Sequence, residues 1–124
     1  MEITPEIPQG RQVIESYGQG RFQISGRPYE SSVLVFPDRT LSWPVTAMAD
    51  LSIDALSDVV AARPAVEILI VGCGARLLLL SGALRSALRE QGIGCDTMDT
   101  GAACRTYNVL LAESRRVAAA LIAL

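Results

Sequence analysis

The chain has 124 residues, half of them hydrophobic, and a formal net charge of −2, which fits one domain over residues 1–124 with its own core and excludes a disordered or strongly basic chain. Its eleven cationic side chains are all arginines and histidine is absent. Ser-His-Asp and Cys-His catalysis, Schiff-base chemistry, a P-loop and a histidine-ligated metal site therefore cannot be assembled from this chain alone.

Met1–Gly10 carries Glu2, Pro5, Glu6 and Pro8 in place of a basic, apolar signal, so an extended lead-in and a cytoplasmic location are expected. Gln12–Tyr17 reads as a strand ending at Gly18-Gln19-Gly20. Arg21–Ser25 alternates polar and apolar residues as its hairpin partner. Gly26-Arg27-Pro28 reads as a turn, Ser32–Phe36 as a more deeply buried strand closed by Pro37-Asp38, and Trp43-Pro44 as a loop. The first third is thus an expected β-meander.

From Leu51 the period changes, with Ile53, Leu56, Val59 and Val60 on one helical face. Ser52 is a natural N-cap, Leu51 and Leu56 are spaced as a hydrophobic staple, and Arg63-Pro64 ends the helix. Val66–Val71 has the β-branched content of a central strand, which Gly72-Cys73-Gly74 breaks. A second helix buries Leu80, Ala83, Leu84, Ala87 and Leu88, exposes Arg85, Arg89 and Glu90, and stops at Gly92. Ile93–Met98 is the next strand, Thr100–Glu113 the next helix and Val117–Leu124 a last apolar strand. Alternating strands and helices predict an α/β fold: a three-layer single domain with a mixed, partly parallel central sheet flanked by helices, plus the N-terminal meander. The longest apolar runs, around Val66–Val71, Leu77–Leu80 and Val117–Leu124, are too short to span a bilayer.

Two loops leave strand ends on one side of this sheet, Gly72-Cys73-Gly74-Ala75-Arg76 and Met98-Asp99-Thr100-Gly101, where open α/β sheets bind ligands. Gly72 and Gly74 permit close backbone approach, and the helix starting near Thr100 aims N–H groups and a positive dipole end at the same place. Cys104 can be a stabilised thiolate beside Arg105, Arg105 a two-pronged clamp on a carboxylate or phosphate, and Thr100 or Asn108 a polar contact. Gly72, Cys73, Gly74, Asp99, Thr100, Cys104, Arg105 and Asn108 are therefore the candidate ligand-binding residues. The same residues also fit plain structural roles. Asp99 and Thr100 read as helix caps, Cys104 as a small buried side chain, and Arg105 as an ion-pair partner of Glu113. Gly-x-Gly lacks the third glycine of a dinucleotide site, since position 77 is leucine. Cys73, Cys95 and Cys104 lack C-x-x-C spacing, and reduced thiols are expected. No catalytic residue, metal ligand or cofactor is assigned. Nucleic acid is not expected as a partner, because acids outnumber arginines and no aromatics are interleaved with them.

The segments Ile14…Tyr17…Phe22-Gln23-Ile24-Ser25-Gly26, Ser32–Val35 with Trp43, Ile70-Val71-Gly72-Cys73-Gly74, Gly92-Ile93 and Met98-Asp99-Thr100…Ala103-Cys104-Arg105-Thr106-Tyr107-Asn108…Glu113-Ser114-Arg115 resemble a known family over nearly the whole length. It comprises small single-domain proteins of unassigned activity whose eukaryotic members include the mitochondrial respiratory complex I assembly factor 3. Bacterial members commonly read Gly-Thr-Gly at 72–74 and Glu-Gly-Arg at 113–115, so positions 73 and 114 depart from the pattern. The resemblance implies a three-layer α/β domain with a mixed sheet. For the mitochondrial relatives it implies partner binding during assembly of a membrane respiratory complex.

Two functional readings result. The leading one is a non-enzymatic interaction module, an accessory or assembly factor with a protein partner and no transmembrane segment; a homodimer is a further open possibility. The alternative is a small-molecule (anion) binding protein or enzyme that uses loops 72–76 and 99–108 with Cys104 as a thiolate.

Overall fold

A computed structural model describes residues 11–124; the expected lead-in over Met1–Gly10 lies outside them. Three strands, β1 (Ile14–Gly18), β2 (Arg21–Ile24) and β3 (Arg27–Tyr29), form an antiparallel sheet in that order. Gly18 faces Arg21 across the Gln19-Gly20 loop and Ile24 faces Arg27 across Ser25-Gly26. Ser25 and Gly26 both have positive φ, +45° and +82°, the backbone that two-residue hairpins with right-handed twist require. Arg27-Pro28 is therefore strand, not turn as the sequence suggests. Pro28 is tolerated because β3 is an edge strand and needs no N–H toward a further neighbour.

The chain then leaves this meander for a second sheet. β4 (Ser32–Val35) and β5 (Thr40–Trp43) form an antiparallel pair, which makes Trp43 the end of a strand in place of the expected loop. Trp43 is buried, and its indole N–H donates to the Ala55 carbonyl at 2.8 Å. The helix expected from Leu51 opens with a 3-10 turn at Asp54–Leu56 and continues as one short α-helix, α1 (Ser57–Ala61); a separate 3-10 turn lies before it at Met48–Asp50. Ser52 nonetheless caps it, its hydroxyl accepting from the Ala55 N–H at 3.1 Å.

The remaining elements are β6 (Ile68–Gly72), α2 (Gly82–Glu90), β7 (Gly94–Met98), α3 (Thr100–Ala112) and β8 (Val117–Leu121). The second sheet runs β5-β4-β8-β6-β7, with β6 parallel to both β7 and β8 and β4 antiparallel to β8. α2 ends at Gly92, whose φ is +79°, where the N–H groups of Gly92 and Ile93 close on the carbonyls of Arg89 and Leu88. Along α2, Leu84 and Leu88 are buried while Ala83 is exposed. Arg85 turns inward far enough to donate to the Cys95 carbonyl at 2.7 Å.

Two cores lie on opposite faces of the five-stranded sheet. One joins Leu34, Trp43, Leu56, Leu69, Val71, Leu84 and Ala118 under α1 and α2. The other joins Ile14, Phe22, Ile24, Val33, Ile70, Tyr107 and Leu121 under α3 and the small sheet. β8 serves both: Ala118 and Ala120 face one core, and Val117, Ala119 and Leu121 the other. That explains its unbroken apolar sequence, since a central strand covered on both faces has no polar side to show. Among the described residues no helix is long and apolar enough to cross a membrane, and no cluster of carboxylate or thiol side chains could hold a metal ion.

Candidate functional site

The two loops singled out from the sequence do meet. β7 and β8 flank β6 on opposite sides, so the end of β6 adjoins the point where the strand order switches, the usual ligand crevice of an open α/β sheet. Here the crevice is filled by Thr100. Its hydroxyl accepts from the Gly74 N–H at 2.9 Å and donates to the Ile122 carbonyl at 2.8 Å. Its own N–H donates to the Gly74 carbonyl at 2.9 Å, and the residue is fully buried. Gly72 is glycine for space: a Cβ there would lie 3.0 Å from Thr100 Cα, Thr100 Oγ1 and Leu121 Cδ2.

The first turn of α3 is closed in the same way. The Asp99 carboxylate accepts from the Ala102 N–H at 2.9 Å, and the Asp99 carbonyl accepts from Ala103. A negative side chain already sits at the positive end of the helix, which offsets the attraction for an outside anion.

Further along α3, side chains reach to the N-terminal segment. The Asn108 carboxamide accepts from the Ile14 N–H at 3.0 Å and donates to the Ile14 carbonyl at 2.7 Å, as a neighbouring strand would. Tyr107 donates its hydroxyl to the Gln12 carbonyl at 3.0 Å. Arg105 donates to the Tyr17 hydroxyl at 2.6 Å and makes no ion pair with Glu113 among the described residues. The Tyr17 ring lies over Gly101, where a Cβ would come within 2.8 Å of its hydroxyl. α3 is thus tied to β1 through Arg105 and Asn108, and to the residues just before β1 through Tyr107.

Burial disfavours the thiolate at Cys104 and Cys95. Cys104 is buried against the core under α3, and desolvation pushes its pKa up to about 12, with Arg105 lowering it only in part. Burial likewise raises Cys95 to about 11, and raises the Tyr107 hydroxyl. Cys73 is buried, its Sγ donating to the Leu78 carbonyl at 3.3 Å.

That contact fixes a feature the sequence reading passed over. Leu77–Leu80 reads as an apolar run with Leu80 on the stripe of a helix, yet it forms the loop before α2. Only Leu80 turns inward; Leu77, Leu78 and Leu79 are 55%, 50% and 82% exposed. With Met48, Leu51 and Leu84, Leu78 and Leu79 edge a concave surface of about 420 Å³. The run sits between a glycine break and Ser81, whose hydroxyl caps α2 by accepting from the Leu84 N–H at 3.2 Å, so it lies outside the helical register.

The profile of a family described as proteins of unknown function, DUF498/DUF598, matches residues 14–122. The chain is 37% identical over 110 residues, 89% of its length, to the NADH dehydrogenase [ubiquinone] 1 alpha subcomplex assembly factor 3 of Danio rerio. It covers 63% of that protein, and it spans less than two thirds of the length of the corresponding Xenopus tropicalis and Homo sapiens proteins. Among solved structures it is similar to a protein of Bartonella henselae described as an outer membrane protein, with 40% identity, a TM-score of 0.84, and 92% and 96% of the two chains covered. It is also similar to a Mth938-like domain of Bordetella pertussis, with 30% identity, a TM-score of 0.82, and 98% and 92% of the chains covered.

Proposed function

The chain belongs to the family of proteins of unknown function DUF498/DUF598, and from that membership we propose that it is a non-enzymatic interaction module that assists assembly of a protein complex, docking its partner through Leu77–Leu79. The exposed leucine loop carries this reading. Fully burying an exposed leucine gains about 1.5–3 kcal/mol, of which Leu79 has most still to gain and Leu77 and Leu78 about half. The Cys73 thiol on the Leu78 carbonyl and Leu80 in the core tie the loop to the domain. The similarity to assembly factors of NADH dehydrogenase supports a partner within a respiratory complex.

The anion-site alternative at loops 72–76 and 99–108 has less behind it. Thr100, Asp99 and Asn108 would each have to release an intramolecular partner, and Cys104 is held as a neutral thiol.

Deleting the gene in its source organism tests the assembly role. Native gels should show less assembled NADH dehydrogenase, with the other respiratory complexes unchanged. An undiminished NADH dehydrogenase complex would contradict it.

A further inference from the structure

At the end of β6 away from the leucine loop, a cleft of about 320 Å³ opens between the β4–β5 turn, the α1–β6 connection and the α3–β8 turn. Arg11, Arg39, Arg63, Arg115 and Arg116 all line it, five of the eleven arginines of a chain whose net charge is −2. Among the described residues only two carboxylates answer them. Asp38 pairs with Arg39 at 3.2 Å, and Glu67 lies 3.2 Å from Arg115 and 4.0 Å from Arg116. Among the described residues neither Arg11 nor Arg63 has an acidic partner; Arg63 spends donors on the carbonyls of Ala62 and Val60. Between the arginines the wall is apolar: Phe36, Val66 and Val117 reach it from the core. Arg39 stacks its guanidinium 4.3 Å from the centre of the Phe36 ring, which holds one cation in place over that wall.

We propose that this cleft docks an acidic segment of a partner protein, pairing Asp or Glu side chains with the guanidinium rim and laying an apolar side chain against Pro37 and Pro64, the lining apolar residues that keep open surface. The rim comes from four separate stretches of chain and is solvent-exposed, with side-chain exposures of 39%, 44% and 58% at Arg39, Arg115 and Arg116. An apolar centre ringed by exposed arginines is the layout of a protein interface. A single small anion is better held by donors that converge in an enclosed site. No aromatic platform stands open in the cleft for nucleobases, since Phe36 is buried beneath Arg39.

The inference rests on the reading that the chain acts through protein contacts, and the two fail separately. If gene deletion lowers NADH dehydrogenase but no acidic peptide binds, the assembly role stands and the cleft loses its assignment. The probe is a fluorescein-labelled peptide Glu-Leu-Glu-Glu-Leu-Glu, titrated with the full chain and followed by anisotropy. Saturable binding is expected, weakened roughly tenfold or more when the glutamates are replaced by glutamine and again in the double variant Arg11→Gln/Arg63→Gln. Arg27→Gln, outside the cleft, should bind like the parent. Should the double variant melt early, Arg11→Gln alone is read, with a smaller loss in the same direction. Equal binding of the glutamine peptide, parent-like binding by both cleft variants, or no binding to the parent chain would overturn the proposal. Displacement by an equal concentration of inorganic phosphate would also overturn it, reassigning the cleft to a small anion.

Discussion

Thr100 joins three elements with one hydroxyl. Removing it would strand the Gly74 N–H and the Ile122 carbonyl in a buried place, at about 1–3 kcal/mol for each unsatisfied group. Such a residue earns its place without chemistry. Cys104 supports the same view through its protonation. Its folded pKa is raised to about 12 by burial, above the ordinary thiol value of about 8.5. The buried thiol is therefore fully compatible with folding below that ordinary value, and stability declines as pH rises from there toward the folded value. At about pH 8, iodoacetamide should label Cys104 in the native chain only as fast as the chain opens, and rapidly once denaturant is added. Fast labelling of native Cys104, read by mass spectrometry, would contradict this.

At the level of elements, helix ends show where composition and backbone disagree. α3 ends with Ser114 at φ +59°, its N–H bonded to the Leu111 carbonyl and that of Arg115 to the Leu110 carbonyl. This left-handed position suits glycine. Ser114→Gly should therefore raise stability by about 0.5–1 kcal/mol in chemical denaturation, since relief of strain outweighs the added freedom of the unfolded chain. A loss of stability would mean that the serine side chain contributes something its contacts do not reveal. The elements that could be read from sequence are those with a clear period, apolar run or cap: β1, β2, β4, β6, α2, β7, α3 and β8. β3 was hidden because three residues containing Pro28 look like a turn, and β5 because Thr40–Trp43 is too short to alternate visibly. That loops 72–74 and 99–101 meet was legible, because alternating strands and helices bring their ends together. The inward commitment of Thr100 and Asn108 was not. Their partners lie 26 and 94 residues away, at Gly74 and Ile14, and local pattern carries no trace of them.

Across the whole molecule, the described surface has two unusual regions at opposite ends of β6. The leucine loop follows its last residue, and the arginine cleft borders its first. Between them the expected ligand crevice is packed shut by the chain's own side chains. This arrangement suits a protein that holds others in place. The most direct test is complementation of a strain lacking the gene with two variants of matched expression, Leu77→Ser/Leu78→Ser/Leu79→Ser and Cys104→Ala. Assembled NADH dehydrogenase on native gels should return with Cys104→Ala and fail to return with the leucine variant. The reverse pattern, rescue by the serine loop and failure without the thiol, would place the activity in the α3 site and contradict the account.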